Sequence, residues 1–251
     1  ADAAVFFRKM MDLSEKRKND TFESAYRRTV CIMALADTEK EKGNLNQAVE
    51  MYIEVIKERK ELAEKYANDK GYMPVIRRAL AVAYLKLGDC ERALGYYKSV
   101  VDVYGLCLAL RTAAVRELTG GDYAEYEARR DLAVIQLRLG EVFEEIAEGG
   151  IDQQYIQQAY GYYKESLALR MGLAEELQTD SALRDLGVGW CRLAGAEMKC
   201  GLWRDAGEHL EKGLTLRKNL ADRTGSLEDR RKLTKAYELQ ARYLIANREE
   251  E

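Results

Sequence analysis

Residues 129–134 read Arg-Arg-Asp-Leu-Ala-Val, and residues 183–188 read Leu-Arg-Asp-Leu-Gly-Val, the same pattern 54 positions on. A further copy opens at Arg230-Arg231-Lys232-Leu233, where Arg231 lies 47 beyond Arg184. Ten residues after the second basic position of each copy stands a small residue: Gly140, Ala194 and Ala241. A small side chain there lets a partner helix come close. The residues after the first copy, Leu132, Ile135, Leu139, Val142, Phe143 and Ile146, recur on one face of a 3.6-residue helix.

A second register runs through the other segments: Gly43-Asn44 with Ala48 and Tyr52, Gly88-Asp89 with Ala93 and Tyr97, Gly201 with Ala206 and Leu210. Glycine ends one helix, and the small residue followed by a large one packs the next. Ala81 and Tyr84, before Gly88, repeat that pattern upstream. In the first of these partner helices Ala48, Tyr52, Val55, Leu62, Ala63 and Tyr66 share one face. Neither kind of helix can hide its stripe alone, so each helix-turn-helix unit must stack on its neighbours.

Composition agrees. The 251 residues are 47% hydrophobic and contain a single proline, Pro74, so nothing interrupts long hydrogen-bonded segments. Forty basic against 43 acidic side chains leave no positive field to gather phosphates or anionic lipid, which excludes nucleic acid and membrane surfaces as expected partners. No apolar run approaches the roughly 20 residues of a membrane span, and the first 18 residues turn charged too early for a signal peptide. The expected location is the cytoplasm. Five cysteines (Cys31, Cys90, Cys107, Cys191, Cys200), without CxxC spacing, suit reduced thiols better than disulfides or zinc.

This pattern resembles the tetratricopeptide repeat family, with small residues and an aromatic at that family's spacing around a Gly turn. The likeness covers roughly 25–246. Residues 129–134, Leu139-Gly140, Ser166-Leu167-Ala168-Leu169-Arg170 and the degraded Gly213-Leu214-Thr215-Leu216-Arg217 are similar to a long bacterial variety with units of about 50 residues instead of about 34. The expected fold is all-α, a right-handed superhelix of about four hairpins and a C-terminal capping helix. The expected parts are an N-terminal helix or cap (1–24), repeats at about 25–70, 71–120, 123–179, 180–225 and 226–246, and a polar tail (247–251). Between Gly140 and Ala159 the chain has about seven residues more than the family spacing, to be placed in two extra turns or in a longer loop at 148–153. The stretch 106–122 reads as the tail of one long helix and a Gly120-Gly121 connection.

The resemblance implies a non-catalytic scaffold that holds a protein or peptide, or another domain of the same polypeptide, on the concave wall made by the first helix of each hairpin. Transferred inward positions are Met33, Asp37, Lys40 and Glu41; then Arg78, Val82, Leu85 and Lys86; then Leu137, Glu141, Glu144 and Glu145. Cys191, Met198 and Lys199 follow, with Lys235, Glu238 and Arg242 on the last helix. The family's carboxylate clamp uses Lys and Asn at the first repeat's inward positions, where this chain has Met33 and Asp37. A receptor closing round a short peptide or small ligand, and a module that self-assembles as a homo-oligomer, are the other readings.

Enzymatic chemistry is not expected. His209 is the only histidine, so no His-pair metal site or His–His acid/base system can form, and no cofactor-binding motif is present. Glu141, Glu144 and Glu145 bring carboxylates together without a nucleophile or phosphate loop. The basic pairs Arg27-Arg28, Arg77-Arg78, Arg129-Arg130 and Arg230-Arg231, with Arg184, form either a ladder for an acidic peptide or local pairs with neighbouring acids; in the Gly register Arg77-Arg78 sits several residues off the others. In Tyr96-Tyr97 and Tyr162-Tyr163 the second tyrosine matches the core aromatic and the first is available to a partner. Trp190 and Trp203 are anchors or core.

Overall fold

The computed structural model describes residues 21–118, 120, 121, 123–150 and 153–250, with side chains to 247. The expected N-terminal cap therefore falls, up to residue 20, outside the described residues. The chain divides into two compact units that part after Leu118. Among the described residues all regular structure is helical, and no helix is long and apolar enough to cross a membrane.

The first unit contains α1 (Phe22–Glu41), α2 (Leu45–Lys65), α3 (Tyr72–Ala93) and α4 (Tyr97–Glu117). Consecutive helices pack on one another, so α1/α2 and α3/α4 are stacked hairpins. Thr21 caps α1 by accepting from the Ser24 amide, and Asp69 accepts from the amides of Gly71 and Tyr72 at the start of α3. Pro74 lies in the first turn of α3, where its missing N–H has no helical partner to lose. The hairpin turns are made by Gly43 (φ +85°) and Gly95 (φ +80°), a left-handed conformation that a side chain would strain. Each turn closes the same way, with the next amide (Asn44, Tyr96) donating to the carbonyl of a buried glutamate (Glu39, Glu91) at 2.9 Å.

The second turn corrects the sequence reading. Gly88-Asp89 is not a turn but lies within α3, a little over one turn before its end, and the core aromatic is not Tyr97 but the fully buried Tyr104. The reason lies in the contact that Gly88 makes. A Cβ at this position would collide with the Tyr104 ring, so glycine is needed there for packing space, while Gly95 supplies the turn. With the register corrected, the two hairpins match residue for residue at a step of 52: Asp37 and Asp89, Gly43 and Gly95, Tyr52 and Tyr104, Arg59 and Arg111.

The second unit contains α5 (Tyr123–Gly149), α6 (Gln153–Leu177), α7 (Asp180–Lys199), α8 (Trp203–Thr224) and α9 (Leu227–Glu250). Again consecutive helices pack, and α9 lies on α8 with a smaller contact to α7. The seven extra residues went into helix: α5 and α6 are 27 and 25 residues long, against 22 and 21 for α3 and α4, so a short connection replaces the longer loop. Residues 151 and 152 of that connection lie outside the described residues. Helix α9 continues to Glu250, so the backbone of the expected tail at 247–250 is helical, and residue 251 is not described. Thr179 caps α7, and Gly201 (φ +74°) makes the α7/α8 turn.

Candidate functional site

Charged side chains tie first helix to first helix. In the first unit Lys86 Nζ of α3 lies 2.6 Å from both carboxylate oxygens of Asp37 on α1, and Lys40 stands 3.9 Å from Asp89. In the second unit Arg192 of α7 donates to Glu141 of α5 at 2.7 Å, and Lys199 reaches Glu144 at 2.7 Å and Glu148 at 2.6 Å. Lys86 and Arg192 occupy equivalent positions, as do Asp37 and Glu141. A rung of this kind therefore belongs to the repeat. Arg130–Asp185 (2.8 Å) and the two-pronged Arg184–Asp229 pair (2.8 Å each) form a second line of rungs at the helix starts.

The second helices contribute an internal polar scaffold. Tyr52 and Tyr104 donate their hydroxyls to Asp37 and Asp89, each at 2.6 Å, and Tyr163 donates to Glu144 at 2.8 Å. Tyr163 stands against Gly140 as Tyr104 stands against Gly88. Seven residues after each core residue (Tyr52, Tyr104, Tyr163, Leu210) comes an arginine that is only 3–9% exposed: Arg59, Arg111, Arg170 and Arg217. Three of them hold the following first helix through a backbone carbonyl. Arg59 donates to Ala79 O at 2.6 Å, Arg170 to Asp185 O at 2.8 Å and Arg217 to Lys232 O at 2.8 Å. Their other nitrogens reach Thr29 Oγ1, Ser166 Oγ and Gly187 O. A planar guanidinium has enough donors to bridge several acceptors at once, which makes its burial tolerable. Burial nonetheless pulls the Arg59 and Arg170 guanidiniums below their usual range.

The last hairpin differs. Leu210 replaces the tyrosine, and His209 Nδ1 lies 2.8–2.9 Å from both oxygens of the buried Glu197, with Trp190 packed on the imidazole at 4.9 Å. Burial raises the Glu197 carboxyl. Asp229 is held well below the ordinary carboxylate range by Arg184, against its own desolvation, and also accepts from Thr224 and Ser226. Trp190 and Trp203 are half-buried, and all five cysteines are free thiols. Among the described residues no group of three or more His, Cys, Asp and Glu could hold a metal ion.

The positions transferred to the second repeat were aligned on Gly88 and shift with the turn. The equivalents of Asp37 and Lys40 are Asp89 and Arg92, not Val82 and Leu85. Lys86 nevertheless meets Asp37, and Leu85 is half-buried. Arg77-Arg78 is not out of step either, since Arg78 stands 52 residues before Arg130; it is Arg27-Arg28 that departs by two. The arginines are drawn to local acids: Arg28 to Glu58, Arg77 to Glu117, Arg129 to Glu176. Met33 and Glu141 are buried, whereas Lys235, Glu238 and Arg242 are exposed on α9. Tyr96 is exposed, while Tyr162 stacks on Phe143 at 5.7 Å. Sequence reasoning missed the buried arginines; the signal was their constant spacing from the core residue.

No family model matches the chain, and no curated protein matches it. Among solved structures it is similar to BtubC (BKLC) from P. vanneervenii, with a TM-score of 0.59 and 17% identity over 98% of this chain and 86% of that one. It is also similar to a crystal structure of a Podosopora anserina putative kinesin light chain with nearly identical TPR-like repeats, with a TM-score of 0.55 and 18% identity over 91% and 93%. A second structure of that kinesin light chain gives 0.54 and 17% over 88% and 90%. The fold is thus a TPR-like helical repeat, as the Gly-turn and small-residue pattern implied.

Proposed function

We propose that this chain is a non-catalytic scaffold, working in the cytoplasm, in each unit of which the first helices offer a charged wall to a protein or peptide. The observation that carries the reading is the pairing of first helix with first helix: Asp37 with Lys86, and Glu141 and Glu144 with Arg192 and Lys199. These rungs gather polar side chains of successive hairpins, while the buried tyrosines and arginines hold the rest rigid. The proposed repeats lie at about 25–70 and 71–120 in the first unit and at 123–179, 180–225 and 226–246 in the second, each unit building its own wall.

Of the residues read from the sequence, Lys40, Arg78 and Leu85 in the first unit and Lys199, Lys235, Glu238 and Arg242 in the second are the ones proposed to meet a partner. Asp37, Lys86, Glu141 and Glu144 act by setting the rungs. The kinesin light chain and BtubC structures share this architecture, which favours an interaction module over an enzyme. His209 and the clustered carboxylates are already occupied by Glu197, Arg192 and Lys199. Free thiols throughout fit a reducing compartment.

The test is affinity capture from source lysate with the wild type and with a Lys235→Glu, Arg242→Glu variant, both confirmed helical by circular dichroism. Retention of a specific protein by the wild type and its loss from the variant is expected. An identical set retained by both would remove α9 from the binding wall.

A further inference from the structure

Three hairpins carry a buried glutamate at one equivalent place beside the turn. The carbonyls of Glu39, Glu91 and Glu197 accept the amides of Asn44, Tyr96 and Leu202 at 2.9, 2.9 and 2.8 Å, and the three residues are 7, 8 and 1% exposed. In α5 the equivalent residue is Phe143. A carboxylate taken out of water needs a partner, and here the partners differ. Glu39 accepts from Lys42 Nζ and Asn44 Nδ2, each at 2.7 Å, and Glu91 accepts from Ser99 at 2.8 Å. None of these donor types titrates near neutral pH. Glu197 instead faces the only histidine of the chain, with Nδ1 of His209 2.8–2.9 Å from both its oxygens. At the position of His209 the other second helices have Met51, Val103 and Tyr162.

Every helix around the pair brings groups that bear on its charge. Asp205, one turn before His209 on α8, repels the carboxylate, and Lys164 of α6 attracts it more weakly. Tyr160 of α6 and Cys200, at the end of α7, stand near; burial and then Glu197 raise both above their ordinary values. Trp190 of α7 covers the imidazole at 4.9 Å, and Lys212 Nζ of α8 lies over the Trp190 ring at 5.0 Å. From α9 comes Tyr243, beside Gly207 and Trp203.

With the carboxyl ionised and the imidazole neutral, this interior holds a net negative charge. One further proton makes the pair neutral overall. Burial of Glu197 and repulsion by Asp205 both favour taking it up. His209, with 23% of its side chain exposed, gives the proton a route from solvent.

We propose that Glu197 and His209 form a proton-operated clasp: one proton held in the pair tightens the α7/α8 hairpin, which loosens as that proton leaves between about pH 6 and about pH 9. By linkage, the folded hairpin binds this proton more tightly than the unfolded chain, where the two groups are apart. The stability it adds is complete below about pH 6 and is lost as the pH rises through the range in which the pair gives up its proton. The clasp holds whether or not the charged wall meets a partner.

Urea denaturation of the whole chain at intervals from about pH 6 to about pH 9 tests this, with Glu197→Gln, His209→Gln and Glu39→Gln beside the wild type. Relative to Glu197→Gln or His209→Gln, the wild-type unfolding constant is expected to rise about tenfold across the range, which corresponds to a proton held about one pH unit more tightly. Relative to Glu39→Gln it should keep a constant ratio. In NMR the lone imidazole should titrate at a higher pH in the wild type than in Glu197→Gln, a comparison that stands even where His209→Gln fails to fold. A wild-type to Glu197→Gln ratio that is flat or falls with pH would overturn the proposal. So would an equal pH dependence against Glu39→Gln, or an imidazole titration that Glu197→Gln leaves in place or moves upward.

Discussion

The first unit repeats with a fixed step, whereas the second varies its own. Between α1/α2 and α3/α4 the structural residues recur 52 positions on, down to the tyrosine–aspartate hydrogen bonds at 2.6 Å. In the second unit the step is 54 and then 47, helices α5 and α6 are longer, Tyr163 finds Glu144 instead of Glu141, the equivalent of those aspartates, and Leu210 takes over from tyrosine altogether. What survives every change is a large residue beside a small one and, seven residues on, a buried arginine. Those are the elements that fix how closely helices approach and how one hairpin holds the next. The polar decoration is free to drift because its contribution to stability is smaller.

Four tests bear on that ranking. The largest loss is expected where the core is hollowed. Tyr104→Ala and Tyr163→Ala each remove a buried ring and leave a cavity, at about 4 kcal/mol. Equal losses in the regular and the irregular unit, read from chemical denaturation, would show that the tyrosine matters through volume and not through its different hydroxyl partners. Next come the arginines. Arg59→Ala and Arg170→Ala each strand backbone and hydroxyl acceptors in the interior, at about 3 kcal/mol, whereas Met at either position, by filling the space, is milder. A negligible effect of Arg170→Ala would break the claim that this residue joins the hairpins.

The third test concerns a feature of the second unit, the Arg184–Asp229 pair. Arg184 holds the Asp229 carboxyl below its ordinary value of 3.8. The unfolded chain therefore takes up the proton first, and the stability from this group is present above about pH 4 and lost as the pH falls further. Asp229→Asn should cost about 2 kcal/mol at neutral pH, and the gap from wild type should close between pH 5 and about pH 2 in denaturation series. A gap independent of pH would contradict it. The smallest effect is expected from the Asp37–Lys86 rung, whose two side chains are 37 and 31% exposed. A double-mutant cycle with Asp37→Asn and Lys86→Met should return a coupling of about 0.5 kcal/mol. A coupling several times larger would place the rungs beside the arginines in importance.

The all-α hairpin array was legible in the residues because its signals are local. The stripe of Leu132, Ile135, Leu139 and Val142, the small residues Gly140 and Ala194, and the glycines at Gly43 and Gly201 each act within a turn or two of helix. The candidate wall was less legible. Lys86 and Lys199 were singled out as inward-facing, yet nothing in their spacing says that each meets an acid of the preceding first helix. Glu141 was read as presented and is buried under Arg138 and Arg192.

By itself, then, the sequence determined the helical class, the hairpin repeat and the extra length of the third hairpin, since hydrophobic period and small-residue spacing are properties of single helices. The tertiary structure alone decided which glycine turns the chain and which makes room for a ring, and why arginine follows each core residue. Those depend on side chains far apart in the chain meeting in space, and on the cost of burying a guanidinium or a Cβ where no room or partner exists. One-dimensional spacing carries neither.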